Sequence, residues 1–246
     1  MLLPADRDAP DCIVDLTDVR FAWDGVSASA VVDIRSLRIA RGERLFLRGP
    51  SGSGKSTLLS LLAGVAVAQS GTVRVLRQDL AALSGAARDR FRADHVGFIF
   101  QMFNLIPYLT VIENVMLPCG FSERRRANAQ QSGGSVRDEA LRLLNHLDMA
   151  QSSLLRRPVT ALSVGQQQRV AAARALIGAP ELIIADEPTS ALDADRRQAF
   201  IELLFQECTR EDATLVFVSH DAALASLFDR TLEFAQVNLA ANGAAA

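Results

Sequence analysis

The sequence predicts an α/β fold: a parallel central sheet covered on both faces, with a helical lobe set into it. Three observations carry this prediction. The continuous apolar runs "ELIIAD" (181–186) and "TLVFVSH" (214–220) have the length and composition of buried parallel strands. A strand, a glycine-rich loop and a helix follow one another between residues 45 and 64. Strand signals then vanish from Phe103 to about Thr160, where helical periods replace them.

The elements follow in order. "CIVDLTDVRF" (12–21) and "VVDIRSLRI" (31–39) alternate apolar and polar residues, as strands with one wet face do. "RGERLFLRG" (41–49) is a tight turn feeding a buried strand, and a helix runs from Lys55 to Gly64. "GTVRVL" (71–76) is a strand, "SGAARDRFRAD" (84–94) a charged helix and "HVGFIFQ" (95–101) a short strand. "TVIENVMLP" and "VRDEALRLLNHLDM" have helical period, and the polar, Gly/Ser-rich "SERRRANAQQSGGS" (122–135) between them reads as an exposed, mobile loop. A helix is expected over 195–209, a last strand at "TLEFA" (231–235), and a frayed low-complexity end at "LAANGAAA". Strands alternating with helices imply the parallel sheet. The chain divides into one domain over 1–246, with a core from 12–102 and 161–235, a helical lobe at 103–160 and a tail from 236.

The 246 residues are 49% hydrophobic and 22% charged, enough for a sizeable core. Lys and Arg total 26 against 28 Asp and Glu, a net charge of −2, which argues against nucleic acid as partner. Three widely spaced cysteines, Cys12, Cys119 and Cys208, fit neither a disulfide framework nor a zinc site and suit a reducing compartment. The first residues do not read as a signal peptide, and the longest apolar stretch, "LLSLLAGVAVA" (58–68), is about half of what a bilayer requires.

Residues 49–56, "GPSGSGKS", match G-x-x-x-x-G-K-[ST] in a strand–loop–helix context, a pattern expected by chance in roughly 1% of chains this long. Gly49, Gly52 and Gly54 let the backbone curl so that amides point at phosphate oxygens, with Pro50, Ser51, Ser53 and Thr57 completing the cradle. Lys55 is expected to reach the β- and γ-phosphates and Ser56 to ligate Mg²⁺. Asp186 ends an apolar strand where a carboxylate can hold Mg²⁺, and Glu187 is the candidate general base for an attacking water. These motifs define a P-loop NTPase core. His220, at the end of "TLVFVSH", is placed to touch the γ-phosphate; a lone strand-end histidine is more often structural. Gln101 ends "HVGFIFQ" in the same manner and can reach Mg²⁺ or the water. Trp23, in "FAWDG", is either a core or hairpin aromatic or a ring that stacks on adenine.

Taken in order, the cradle, Gln101, "LSVGQ" (162–166), "IIADEP", "SALD" (190–193) and His220 resemble the ATP-binding subunit of an ABC transporter over about residues 13–235. The resemblance implies an N-terminal antiparallel β subdomain and an inserted α-helical subdomain. It implies a head-to-tail homodimer in which Ser163, Gly165 and Gln166 contact the γ-phosphate held by the other copy, and Asp193 touches that copy's cradle. A helix start with a hydroxyl and a glycine suits such a contact. The resemblance places Trp23 on adenine, gives Gln101 the link to a membrane partner and makes His220 a switch. The usual LSGGQ carries Gly where this chain has Val164, which is costly if φ there is positive and harmless if the side chain points away. "GFIFQMFNLIPYLTVIENVMLP" resembles the MacB, lipoprotein-release (LolD-like) and FtsE-like branch most closely. That implies ATP and Mg²⁺ as ligands, integral membrane permeases with large extracytoplasmic domains as partners, and a place at the cytoplasmic face of the inner membrane. An FtsE-like regulatory ATPase that bridges membrane partners without transport is the alternative. A DNA-repair or ribosome-acting ATPase would carry coiled-coil or zinc insertions or a second ATPase domain. "FNLIPYLTV" (103–111) reads either as part of a groove for the permease or as ordinary packing between lobes.

Overall fold

A computed structural model describes residues 11–23, 29–149, 151–190, 192 and 194–242. The first sheet is antiparallel, in the order β2-β1-β4-β5, from β1 (Cys12–Phe21), β2 (Val32–Ala40), β4 (Ser70–Val75) and β5 (Gln78–Asp79). The second is parallel throughout, in the order β6-β7-β8-β3-β9. Its strands are β3 (Arg44–Arg48), β6 (Val96–Ile99), β7 (Leu182–Asp186), β8 (Thr214–Val218) and β9 (Arg230–Glu233).

The helices are α1 (Lys55–Leu62), α2 (Gly85–His95), α3 (Val111–Met116), α4 (Pro118–Phe121), α5 (Glu123–Gly133), α6 (Val136–His146), α7 (Ser152–Leu155), α8 (Val164–Leu176), α9 (Ala194–Arg210) and α10 (Phe234–Val237). The helical lobe lies in the chain between β6 and β7, as its periodicity predicts. Polar residues start its helices: Thr110 and Glu113 form a capping box on α3, and Ser135 accepts from the Asp138 amide on α6.

The alternation of the central strands sorts their side chains onto two cores. Ile183, Ala185, Leu215, Phe217 and Phe46 face α8, α9 and the helical lobe. Leu182, Ile184, Val216, Val218, Leu45 and Leu47 face α1 and the antiparallel sheet. Because both faces are covered, these strands show no polar side, which is why they read as unbroken apolar runs.

One expectation is overturned. Residues 122–135 are not a mobile loop: Glu123–Gly133 form α5. Ser122 caps it, and Arg125 is buried, its guanidinium donating to the carbonyls of Ile177 (2.7 Å) and Ala175 (2.5 Å) at the end of α8. Those carbonyls have no partner within their own helix, so a cation there satisfies both them and the helix dipole. The polar composition of "ERRRANAQQ" reflects a helix with one narrow buried stripe, Arg125 and Ala129. At the other end, Asn238 belongs to the expected tail yet is buried, following directly on α10.

Of the two readings of 103–111, the packing one fits the structure. Phe103 and Leu105 pack into the lobe core. The broad apolar groove of this face, about 610 Å³, is walled instead by α2, β6 and the residue after it, α4 and α5, through Ala93, Val96, Phe100, Pro118, Phe121 and Arg125.

Candidate active site

The parallel register decides where the chemistry converges. Leu47 and Asp186 both pair with Val218, so β3, β8 and β7 end on one line. The cradle follows β3, Asp186 and Glu187 close β7, His220 lies just past β8, and Gln101 just past β6. All therefore emerge at the carboxyl edge of the sheet, where open α/β sheets bind ligands. A cavity of about 300 Å³ results, lined by Val31, Ser51, Gly52, Gly54, Lys55, Ser56, Thr57, Gln101, Asp186, Glu187 and His220. Its location and most of its residues were legible as motifs. Val31 was not, because a valine just ahead of a strand carries no chemical signal.

The cradle needs its glycines. Gly54 caps α1 with φ 99°, and a Cβ there would lie 2.6 Å from the Val31 carbonyl oxygen; Gly52 has φ 76°. Lys55 Nζ donates to the Gly49 (2.7 Å) and Pro50 (2.9 Å) carbonyls, closing the loop on itself. Burial holds the Lys55 ammonium below its ordinary range, against the opposing pull of Glu187 and Asp186. Ser53 Oγ is buried with no hydrogen-bond partner. A basic, amide-lined loop with an unsatisfied hydroxyl fits a polyphosphate.

Ser56 Oγ donates to Asp186 Oδ2 at 3.2 Å, joining the start of α1 to the end of β7. These hard oxygens, with Gln101 on the same cavity, suit Mg²⁺. Glu187 has φ 48°, an unfavourable conformation for a residue with a Cβ, and its amide continues the ladder by donating to the Val218 carbonyl at 3.0 Å. His220 Nε2 stands 3.0 Å from Glu187 Oε1, but off the line a hydrogen bond needs, so Oε1 remains buried and unpartnered. Burial raises both carboxyls above their usual ranges. For Asp186 the Ser56 hydroxyl and Lys55 oppose this, and for Glu187 His220 does.

The signature residues lie elsewhere. Ser163 and Gln166 form a capping box on α8: Ser163 Oγ accepts from the Gln166 amide (3.3 Å) and Gln166 Oε1 from the Ser163 amide (3.0 Å). The Val164 and Gly165 amides have no partner among the described residues. Ser163, Gly165 and Gln166 line a separate cavity of about 240 Å³ and not the cradle cavity. Val164 is 49% exposed and its φ is not positive, so the β-branched residue is unstrained. Trp23 is not part of the cavity wall; the residue is 62% exposed and its ring meets Phe21 edge-on at 5.0 Å. Asp193 lies outside the described residues.

A phosphate cradle, a strand-end Asp–Glu pair and a strand-end histidine around one cavity define a P-loop ATPase site. Residues 32–190 match the ABC transporter family, and the chain belongs to that family as an ATP-binding, ATP-hydrolysing subunit. It is similar to the lipoprotein-releasing system ATP-binding protein LolD of Syntrophotalea carbinolica, 39% identical over 213 residues that cover 85% of this chain and 90% of that protein. It is 42% identical over 196 residues to the ABC transporter ATP-binding protein YbbA of Escherichia coli K12, covering 80% and 82% of the two chains. Among solved structures, the dimeric post-hydrolysis state of the ATP-binding cassette MJ0796 bound to ADP and Pi matches with a TM-score of 0.76 at 34% identity, over 90% of this chain and 94% of that one.

Proposed function

We propose that this chain powers a LolD/MacB-like membrane permease from the cytoplasmic face of the membrane, two copies closing head to tail on two ATP molecules. One observation carries the shared-nucleotide reading: the signature residues line a cavity of their own and none reaches the cradle of the same chain. A second copy is what brings two free amides and a positive helix end to the cradle. The solved MJ0796 cassettes, described as dimeric, support this.

In this reading the cradle residues Gly49 to Thr57 bind the phosphates and Lys55 turns from its loop carbonyls to the β- and γ-phosphates. Glu187, its carboxyl raised by burial, takes the proton of the water attacking the γ-phosphate. His220 orients Glu187 and senses the γ-phosphate, and Trp23 supplies a free face for adenine. Ser56, Asp186 and Gln101 would hold Mg²⁺, which when bound neutralises developing phosphate charge. Ser163, Gly165, Gln166 and Asp193 act on the nucleotide of the other copy. The apolar groove rimmed by Arg90 and Arg92 receives a permease segment, and the LolD-like similarity favours permeases with large extracytoplasmic domains.

The test is Glu187→Gln with ATP on size exclusion. The expected outcome is an ATP-dependent dimer together with at least ~100-fold loss of turnover, the scale of removing a general base. A variant that binds ATP and stays monomeric refutes the shared-nucleotide scheme.

A further inference from the structure

The phosphate cradle is braced from outside by a part of the chain with no motif. Asn238 follows α10 directly and is 1% exposed. Its Oδ1 accepts from the Asp33 amide at 2.8 Å. Its Nδ2 donates to two carbonyls, Val31 at 2.9 Å and Ser53 at 3.0 Å. Val31 lines the cradle cavity, and its carbonyl is the atom that a Cβ on Gly54 would strike. One helical turn earlier, Phe234 is fully buried beneath the loop; Cβ atoms on Gly49 and Gly54 would lie 3.2 and 3.4 Å from its side chain. Residues 234 and 238 share one face of this turn, held by the Asn238 amide donating to the Phe234 carbonyl at 2.8 Å.

The peptide joining Ser53 and Gly54 is planar and trans, so its carbonyl and N–H point in opposite directions. Fixing the Ser53 carbonyl on Asn238 fixes the Gly54 amide away from Asn238. We propose that Asn238 is a positioning residue of the phosphate loop: it locks the Ser53–Gly54 peptide and ties it to the start of β2, presetting the cradle for a polyphosphate. The inference rests on the nucleotide-binding reading of the cavity. It makes Asn238 a determinant of binding rather than of the chemical step, because preorganisation lowers the cost of ordering the loop on the ligand.

Asn114 provides a matched control. It is equally buried and bonds only to backbone, accepting from the Ile106 amide and donating to the carbonyls of Ile106, Leu109 and Thr110 in the helical lobe. The experiment compares the wild type, Asn238→Ala, Asn114→Ala and the near-isosteric Asn238→Asp as full-length chains. Asn238→Asp keeps the acceptor for Asp33 but turns an oxygen toward both carbonyls, and it serves should the alanine variant not fold. Measured are melting temperature, binding of a fluorescent Mg–ATP analogue, steady-state kinetics and amide exchange over residues 51–56 in the free protein.

Both Asn238 variants are expected to bind the analogue about tenfold more weakly, the scale of a lost buried hydrogen-bond set. KM should rise in parallel and kcat stay within about twofold. Exchange over 51–56 should quicken in these variants and not in Asn114→Ala. Binding within about twofold of wild type, or equal weakening by Asn114→Ala at a similar melting temperature, overturns the assignment of Asn238. Wild-type protein that does not bind the analogue overturns the nucleotide reading itself.

Discussion

Glu187 combines a left-handed backbone, a buried carboxylate oxygen without a hydrogen bond and a carboxyl raised by burial. Each is unfavourable to the fold, the backbone conformation alone by about 1–3 kcal/mol, and together they mark a group held for chemistry. The sign of the pKa shift gives a test. A carboxyl raised in the folded state favours its protonated form, so its burial is tolerated below the ordinary value of 4.5 and becomes destabilising as pH climbs through the folded pKa. Glu187→Gln should therefore raise the melting temperature at pH 7.5 by about 2–4 °C, the scale of 1 kcal/mol in a chain this size, with the gain shrinking as pH falls below the ordinary value of 4.5. Differential scanning fluorimetry at pH 7.5 and at a pH below 4.5 reads this directly. An equal gain at both would assign the effect to something other than ionisation. The acid limb of kcat/KM should likewise fall above 4.5. The candidacy of this residue was legible, since an Asp–Glu pair beside a phosphate cradle has few other uses. Its strain was not, because φ is set by the turn that β7 must make at the level of Val218.

At the level of elements, α6 and α9 are joined by a buried ionic cluster that no motif announces. Arg142 on α6 is bidentate to Glu207 on α9, both bonds 2.9 Å, and to Glu139 at 2.7 and 2.9 Å; His146 also meets Glu207. Burial pushes the Glu207 carboxyl up, but the hydrogen bonds from Arg142 and His146 outweigh it, and the net shift is downward. Its stabilisation is thus present above the ordinary value of 4.5 and lost as pH falls through the lower folded value. Arg142→Met leaves two buried carboxylates without their cation and should cost about 3–5 kcal/mol in urea denaturation at pH 7. Adding Glu207→Leu should recover part of that loss, since the unpaired charge goes with it. A double variant no better than the single one would show that Arg142 acts through packing of its stem. The same contrast explains which elements were legible. β7, β8 and α6 carry their own period, whereas α5 depends on Arg125 meeting carbonyls some 50 positions away and reads locally as a polar loop. Likewise, nothing in "FAQVN" announces that Asn238 spans the gap to Val31 and Ser53.

For the whole molecule, Gly165 decides whether the nucleotide is shared. Its φ is not positive, and a Cβ built there would meet only Leu192 Cδ2 at 3.6 Å, an ordinary contact. Nothing inside one chain requires glycine in the first turn of α8, where alanine is the better helix former by about 1 kcal/mol. The fold therefore carries a small penalty at the very residue that bears one of the two unpartnered amides and lines the signature cavity. A second molecule approaching the helix start closely supplies a reason. Gly165→Ala should leave the isolated chain as stable as wild type or slightly more so, and should leave analogue binding to the cradle unchanged. It should nevertheless cut steady-state ATP turnover at least ~tenfold, because the added methyl stands between the helix start and the phosphate of the other copy. Introduced into Glu187→Gln, it should abolish the ATP-dependent dimer on size exclusion. Wild-type turnover and an intact dimer in Gly165→Ala would place the requirement for glycine outside catalysis and remove the signature helix from the shared site.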